Sequence, residues 1–304
     1  MTNDTNKPKL SIQDGHFIDK EGRVCILRGV NLGGSSKLPT NYKQFEQQGT
    51  EFISNKVTFV NRPFPLNEAD LHFSRLRLWG LRFLRLVITW EAIEHEGPNI
   101  YDTGYLKYLR ALVEKAQKYE LLIYIDPHQD VWSRFTGGSG APLWTLEKIG
   151  FDPENFECTK AALCAETCCD TVEEYPFMIW PTNYFKYACA TMFTLFWGGD
   201  AFAPNCFVDG VGVQEFLQGR YIAAMVQVAR CLEGLDNVVG FGTMNEPGSG
   251  YIGMYNALLF QYDDPNTHAK EWKIYQPTEA RNYDMATPQH PTKEWSYPKA
   301  TPKK

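Results

Sequence analysis

Short apolar runs recur along this chain, and each closes on a cluster of polar residues. Arg82 to Trp90 reads RFLRLVITW, Leu121 to Asp126 reads LLIYID, and Val238 to Pro247 reads VVGFGTMNEP. Apolar runs of this length, bounded by turn residues, are read as buried strands. Between the first two, Tyr101 to Tyr119 sets Leu106, Leu109, Leu112, Val113 and Ala116 at helical spacing. Asn67 to Trp79 is also helical, with Asn67 as N-cap and Phe73, Leu76 and Gly80 on one face. Asn183 to Trp197 and Val213 to Leu232 predict two more helices, the second turning Phe216, Leu217, Ala224, Val228 and Leu232 inward. Strands alternating with helices in this way predict a parallel sheet with right-handed crossovers.

The two ends read differently. Leu10 to Asn31 alternates, with turn signals at Asp14-Gly15 and Glu21-Gly22. This predicts a small hairpin feeding a strand from Val24 to Leu32. That strand runs into Gly33-Gly34-Ser35-Ser36-Lys37, a loop able to bring backbone and Lys37 close to a ligand. Residues 1–9 are expected to be disordered. From residue 261 to 304 Pro, Asn, Asp, Lys and Gln predominate, which predicts a polar, irregular tail without strands. A closed barrel would need roughly four further strand–helix units. The expected architecture is α/β, the N-terminal half of a (β/α)8 barrel over residues 10–260.

Composition narrows the function. With 304 residues and 43% hydrophobic content, a large core is within reach. A net charge of −6 argues against nucleic acid and against an electrostatic hold on anionic membranes. MTNDTNKPKL lacks the apolar segment of a secretory signal, and no apolar run approaches the length of about 18 residues that spans a bilayer. The eight cysteines are therefore expected as thiols in a cytoplasmic protein. Cys164, Cys168 and Cys169 cluster, but no histidine or second cysteine pair follows at zinc spacing, so no metal is expected.

In a parallel barrel, chemistry sits at the carboxyl ends of the strands. There the chain carries Lys37, then Arg85 within its apolar run, then His128 and Asp130, then Asn245 and Glu246. An arginine inside an apolar strand is costly unless paired, so Arg85 should face a carboxylate. Glu246, between an asparagine and a rigid proline, is a candidate general acid. The long connection from 131 to 180, with Gly137-Gly138-Ser139-Gly140, is expected to be functional or disordered. Convergence of these clusters on one face points to an enzyme more strongly than any one of them.

These residues sit in stretches that resemble glycoside hydrolase family 5, in the branch holding endoglycoceramidases and fungal steryl β-glucosidases. The stretches are LRGVNLGGSSKLP (27–39), FLRLVITWEAIEHEGPNIYD (83–102), YIDPHQDVWSRFTGGSGAPLWTLE (124–147), YPFMIWPTNYFKYACATMFTLFWGGDAFAP (175–204) and GFGTMNEP (240–247). The resemblance implies a TIM barrel that hydrolyses β-glycosides with retention and needs no cofactor. It implies Glu246 as acid/base and Asn245 as a substrate-positioning residue. Arg85 would support the nucleophile, His128 and Asp130 would bind the sugar, and Lys37 and Trp197 would contact it. Such hydrolysis pairs a protonated acid with a carboxylate nucleophile about 5–5.5 Å away.

Departures from the family pattern are also legible. The nucleophile has no counterpart. The later glutamates, Glu271, Glu279 and Glu294, all lie in the polar tail, and none ends an apolar run. Gly242 and Gly248-Ser249 replace bulkier or polar residues of the fungal pattern. The expected activity is cleavage of a β-glucoside with a lipid aglycone, steryl glucoside or glucosylceramide. It would act without a membrane span, in peripheral contact with membranes or in the vacuole. An endo-β-glucanase is one alternative. The other is a truncated, inactive fragment or a sugar-binding protein.

Overall fold

The computed structural model describes residues 10–40, 42, 52–168, 179–253, 259–263 and 270–274. The expectation of disorder over 1–9 lies outside them. Strands β1 (Leu10–Gln13), β2 (His16–Asp19) and β3 (Val24–Cys25) form an antiparallel meander. Strand β4 (Gly29–Leu32) belongs to a different sheet, pairing parallel to β5 (Phe83–Thr89). The single strand expected from Val24 to Leu32 is thus two. The chain leaves one sheet after Cys25 and enters the next at Gly29, where a side chain would strike the Phe83 carbonyl, 1.4 Å from the Cβ position.

Helix α1 (Ala69–Leu78) precedes β5 and buries Ala69, Phe73 and Leu76. Its N-cap is Glu68 rather than Asn67, and neither end relies on a side-chain cap. It ends because Gly80 adopts φ +77, letting Leu81 N–H reach the Leu76 carbonyl and Gly80 N–H the Arg77 carbonyl. Helix α2 (Trp90–Glu94) follows β5 directly, capped by the Thr89 hydroxyl. Helix α3 (Thr103–Lys118) starts at Asp102, whose Oδ1 accepts from Tyr105 N–H at 2.8 Å. Its inner face buries Tyr105, Tyr108, Leu109, Leu112, Val113 and Ala116.

Strand β6 (Leu122–His128) comes next. The connection after it holds one-turn helices α4 (Trp144–Glu147), α5 (Phe156–Thr159) and α6 (Ala165–Cys168). Over its described part, to residue 168, it is far from a loose loop. Val131, Trp132, Phe135, Leu143, Trp144 and Leu146 join the main core.

A 3-10 turn at Trp180–Phe185 leads into α7 (Tyr187–Phe202), which begins later and runs further than the sequence suggested. A short ribbon of β7 (Phe207–Val208) and β8 (Val211–Gly212) joins it to α8 (Val213–Cys231). Strand β9 (Val238–Phe241) closes the described barrel sheet in the order β4-β5-β6-β9, all parallel. Four parallel strands in chain order, with helical connections, are the first half of a (β/α)8 barrel.

Strands β5 and β6 show why a barrel strand reads as uniformly apolar. Leu84, Leu86 and Ile88, with Ile123 and Ile125, pack outward into the helix core. The alternate positions, Arg85 and Thr89 on β5 with Asp126 and His128 on β6, belong to the concave face. Register sets Thr89 beside His128 and Val87 beside Asp126.

The tail also differs from expectation. Strands β10 (Leu259–Asp263) and β11 (Lys270–Ile274) pair antiparallel, from Leu259 with Ile274 to Asp263 with Lys270. LFQYD and KEWKI carry aromatic and branched residues between polar ones, a β signal diluted by charge. Strand β10 crosses the boundary drawn at residue 260.

Candidate active site

The polar residues at the carboxyl ends of β4, β5, β6 and β9 form one connected chain of contacts. Arg85 emerges from β5, and its Nη2 donates to Asp126 Oδ1 at 2.8 Å and to Asn245 Oδ1 at 2.6 Å. The carboxylate that Arg85 needed is therefore Asp126, two residues before His128. The other oxygen of Asp126 lies 2.8 Å from His128 Nδ1. His128 Nε2 faces Asp130 Oδ2 at 3.3 Å, and the same oxygen accepts from Lys37 Nζ at 2.6 Å. Lys37 comes from the 3-10 turn Gly34–Lys37 that follows β4. Residues from all four strand ends are thus joined through alternating cations and carboxylates.

Burial and partners oppose each other in this cluster. Burial pulls the His128 imidazolium down, but the Asp126 and Asp130 carboxylates outweigh it and hold its pKa above the ordinary 6.5. Burial would raise Asp130, but hydrogen bonds from His128 and Lys37 bring it down to about 2. A raised imidazole pKa stabilises the fold fully below the unfolded value, and that stability is lost as pH rises through the folded one. The stability gap between the protein and His128→Asn should therefore be wide at pH 5.5 and narrower at pH 8.5, as read by urea denaturation. A gap that stays constant or widens with pH would contradict the ion-paired imidazolium. Asp130 acts in the opposite sense, its contribution being lost only as pH falls from 3.8 toward about 2.

Asn245 and Glu246 do not end the last strand as the sequence suggested. Strand β9 stops at Phe241, and the chain then turns over the sheet end. Gly242 N–H still bonds Ile125 O at 2.8 Å and Asn245 N–H bonds Pro127 O at 2.9 Å, which keeps the turn along β6. Nor is β9 buried. It is half-buried to exposed along its length, as the edge of the described sheet.

Glu246 has φ +38, a left-handed conformation that costs a non-glycine residue about 1–3 kcal/mol. Its side chain is exposed, and among the described residues its carboxyl group has no side-chain partner. Its carbonyl accepts from Gln129 Nε2 at 2.7 Å and from the Tyr184 hydroxyl at 2.9 Å.

Trp197 lies beside this turn. Its indole donates to Gly248 O at 3.1 Å, two residues beyond Glu246, and the residue is 42% exposed, so it offers an aromatic surface at this turn. The two glycines that depart from the fungal pattern have local causes. A Cβ at Gly248 would sit 2.9 Å from the Phe193 ring, and one at Gly242 would sit 3.0 Å from the Tyr124 hydroxyl. A cavity of about 180 Å³ lies next to the Lys37 turn, lined by Leu38, Tyr42, Arg134, Gly137, Gly138, Ala165, Glu166 and Trp180. Burial there pushes the Glu166 carboxyl up to about 7.

All six polar residues singled out in the sequence, Lys37, Arg85, His128, Asp130, Asn245 and Glu246, come together at this end of the sheet. Asp126, Gln129 and Tyr184 were missed. The signal for Asp126 was available, because alternation places it on the same strand face as His128. Gln129 and Tyr184 carry no such signal. Among the described residues no cluster of His, Cys, Asp and Glu suits a metal ion. Of the three late glutamates, Glu271 lies in β11, and Glu279 and Glu294 lie outside the described residues.

Comparison with known proteins gives a consistent picture. A family model described as cellulase, glycosyl hydrolase family 5, matches residues 45–276. A glucosylceramidase of Aspergillus fumigatus is 45% identical over 253 residues, covering 81% of this chain and 33% of that protein. An ergosteryl-β-glucosidase of Saccharomyces cerevisiae is 43% identical over 266 residues, covering 80% of this chain and 35% of that protein. The crystal structure of Cryptococcus neoformans sterylglucosidase 1 superposes with a TM-score of 0.78 at 40% identity, covering 88% of this chain and 38% of that one. An endo-glycoceramidase II from Rhodococcus sp. matches at a TM-score of 0.52 and 24% identity, over 78% of this chain and 43% of that one, a likeness of fold alone. The chain spans about a third of the length of these curated relatives.

Proposed function

The chain belongs to glycosyl hydrolase family 5, and we propose that it serves hydrolysis of the β-glucosidic bond of lipid glucosides, steryl glucoside or glucosylceramide. The observation that carries this reading is the connected cluster from Lys37 to Asn245 beside Glu246. The lipid aglycone is supported by likeness to proteins named glucosylceramidase and ergosteryl-β-glucosidase.

In this reading Glu246 gives its proton to the glycosidic oxygen as a carboxylate nucleophile, not assigned among the described residues, bonds to the anomeric carbon and the glycosidic bond breaks. It then takes a proton from the water that displaces that carboxylate and releases the sugar. Asn245, fixed by Arg85, donates to a sugar hydroxyl near the reacting carbon. His128, Asp130 and Lys37 bind further hydroxyls, and Trp197 offers its ring to the apolar face of the pyranose. Asp126 and Asp130 are committed to Arg85, His128 and Lys37. No described carboxylate is assigned the nucleophile's role.

Sterols and ceramides reside in bilayers, so the chain would meet its substrate at a membrane surface. No helix among the described residues is long and apolar enough to cross one. A second reading, cleavage of a β-glucan, is favoured by the cellulase description of the matching family model.

The test is to offer the purified chain glucosylceramide, a steryl glucoside and a cello-oligosaccharide, and to follow both glucose and aglycone. Release of glucose with free lipid supports the first reading. Cleavage of the oligosaccharide alone would replace it with the second. Failure to cleave any of them, together with failure to bind a glucose-shaped inhibitor, would overturn both.

A further inference from the structure

We propose that Gln129, assisted by Tyr184, is the residue that aims Glu246, by holding its backbone in the left-handed turn from which the carboxyl projects. The proposal rests on the reading of Glu246 as acid/base. In an extended strand successive carbonyls point to opposite sides. Here the carbonyls of Asn245 and Glu246 converge on one nitrogen, Gln129 Nε2, at 2.6 and 2.7 Å. Such convergence requires a sharp turn, and the φ of +38 at Glu246 is that turn. A primary amide has two N–H donors on one nitrogen, one for each carbonyl.

Gln129 is itself fixed. Its Oε1 accepts from Trp132 N–H at 2.9 Å, which sets which end of the amide faces the turn, and the residue is only 5% exposed. Asn245 returns a bond, from its Nδ2 to Gln129 O at 3.1 Å. Those contacts locate residue 245. At residue 246 the carbonyl is held by Gln129 and by the Tyr184 hydroxyl. The Glu246 carboxyl has no side-chain partner among the described residues, so what these bonds set is the position of its Cα and the direction in which the side chain leaves it. A displacement of about 1 Å in a catalytic group costs on the order of 100-fold in rate.

Three variants test this: Gln129→Met, which keeps length and loses both donors, Gln129→Glu, and Tyr184→Phe. The first readout is amide exchange of the segment 244–250, with the α3 segment 103–118 as internal reference. Gln129→Met should speed exchange of 244–250 about tenfold or more and leave 103–118 unchanged, and Tyr184→Phe should do the same more weakly.

The second readout is pH. A protonated carboxyl at position 129 can donate to a carbonyl, whereas an anion repels it. Gln129→Glu, with one donor when protonated, should therefore lie between the parent and Gln129→Met near pH 4 and resemble Gln129→Met near pH 8. The ionisable groups around that position are His128 and Asp130 on its own strand end, Tyr184 from the 3-10 turn and Glu246 on the turn it holds. The parent and Gln129→Met carry the same groups, so both are measured at the two pH values and the response of Gln129→Glu is read against them.

The third readout is hydrolysis of an unactivated glucoside, where kcat should fall about 100-fold with KM changed by less than about threefold. Unchanged exchange of 244–250 in Gln129→Met, or a pH-independent Gln129→Glu, would overturn the proposal. If Gln129→Met loosens 103–118 as well, Tyr184→Phe decides, and no local effect there would also overturn it. A local exchange response in Gln129→Met with kcat unchanged would support the clamp and remove the acid/base reading on which its catalytic meaning rests.

Discussion

Glu246→Gln is expected to lower hydrolysis of an unactivated β-glucoside by about 10²–10⁴-fold while leaving the stability of the chain unchanged. The two halves of this expectation have separate causes. The turn at residues 245 and 246 is held through backbone carbonyls by Gln129 and Tyr184, and the side chain of Glu246 takes no part in it. Removing one charge from an exposed carboxyl group leaves that framework intact. Glutamine cannot deliver a proton to a leaving oxygen, so the loss should scale with how badly the leaving group needs one. A glucoside of an acidic phenol leaves without help, so its kcat/KM, which reports bond cleavage, should be nearly unaffected although its kcat falls with loss of the base, whereas kcat/KM for a sterol or ceramide alcohol should show the full loss. Comparing the two substrates in the parent and in Glu246→Gln checks this directly. Equal losses of kcat/KM on both would assign Glu246 to some duty other than proton transfer.

The strands and helices nearest the site were legible because they bury one face and therefore carry a period. α3 reads as a helix through Leu109, Leu112, Val113 and Ala116, and these are the residues that pack inward. β5 reads as a strand because Leu84, Leu86 and Ile88 pack against the helices. Arg85 stood out within that run because a charge there has to be answered. The partner could not be named, since pairing Arg85 with Asp126 depends on how β5 and β6 register, which is a tertiary fact.

Other parts were hidden for the same physical reason. The connection after β6 buries Trp132, Phe135 and Trp144 without any regular period. Its backbone is satisfied by side chains instead of a ladder, as where Ser133 Oγ donates to Ala141 O and Thr136 Oγ1 to Val131 O. Such a segment reads as a loop while packing as core. The break between β3 and β4 was equally invisible, because Val24 to Leu32 is a plausible strand composition and only the close approach of Gly29 to Phe83 shows where the second sheet begins. Within the site, charged residues at strand ends could be picked out from type and position. Gln129 could not, because a neutral amide acquires its meaning only from the two carbonyls it meets.

Arg134→Met is expected to cost about 3–5 kcal/mol of stability, the penalty for leaving a buried charge without its partner. Arg134 and Glu91 have side chains only 3% and 1% exposed, with Nε 2.8 Å from Glu91 Oε1. The guanidinium also donates to Phe52 O at 2.8 Å and to Ser54 O at 2.5 Å, and stacks 4.0 Å from the Phe135 ring centre. It ties the 52–54 stretch to the connection that begins with Gln129 and Asp130. Burial pushes the Glu91 carboxyl up against the pull of Arg134. Without the arginine that carboxyl rises further. A raised carboxyl pKa destabilises the fold as pH climbs above the unfolded value, so the deficit of Arg134→Met should be larger at pH 7.5 than at pH 5. Urea denaturation at the two pH values reads this, and a deficit that does not grow with pH would assign the loss to packing alone. The double variant Glu91→Gln/Arg134→Met separates the causes. It removes the unanswered charge but still leaves two carbonyls without donors, each worth about 1–3 kcal/mol. It should therefore recover part of the loss, and its deficit relative to the parent should no longer grow with pH. Partial recovery would mean that Glu91 is tolerated in this core only because Arg134 is there.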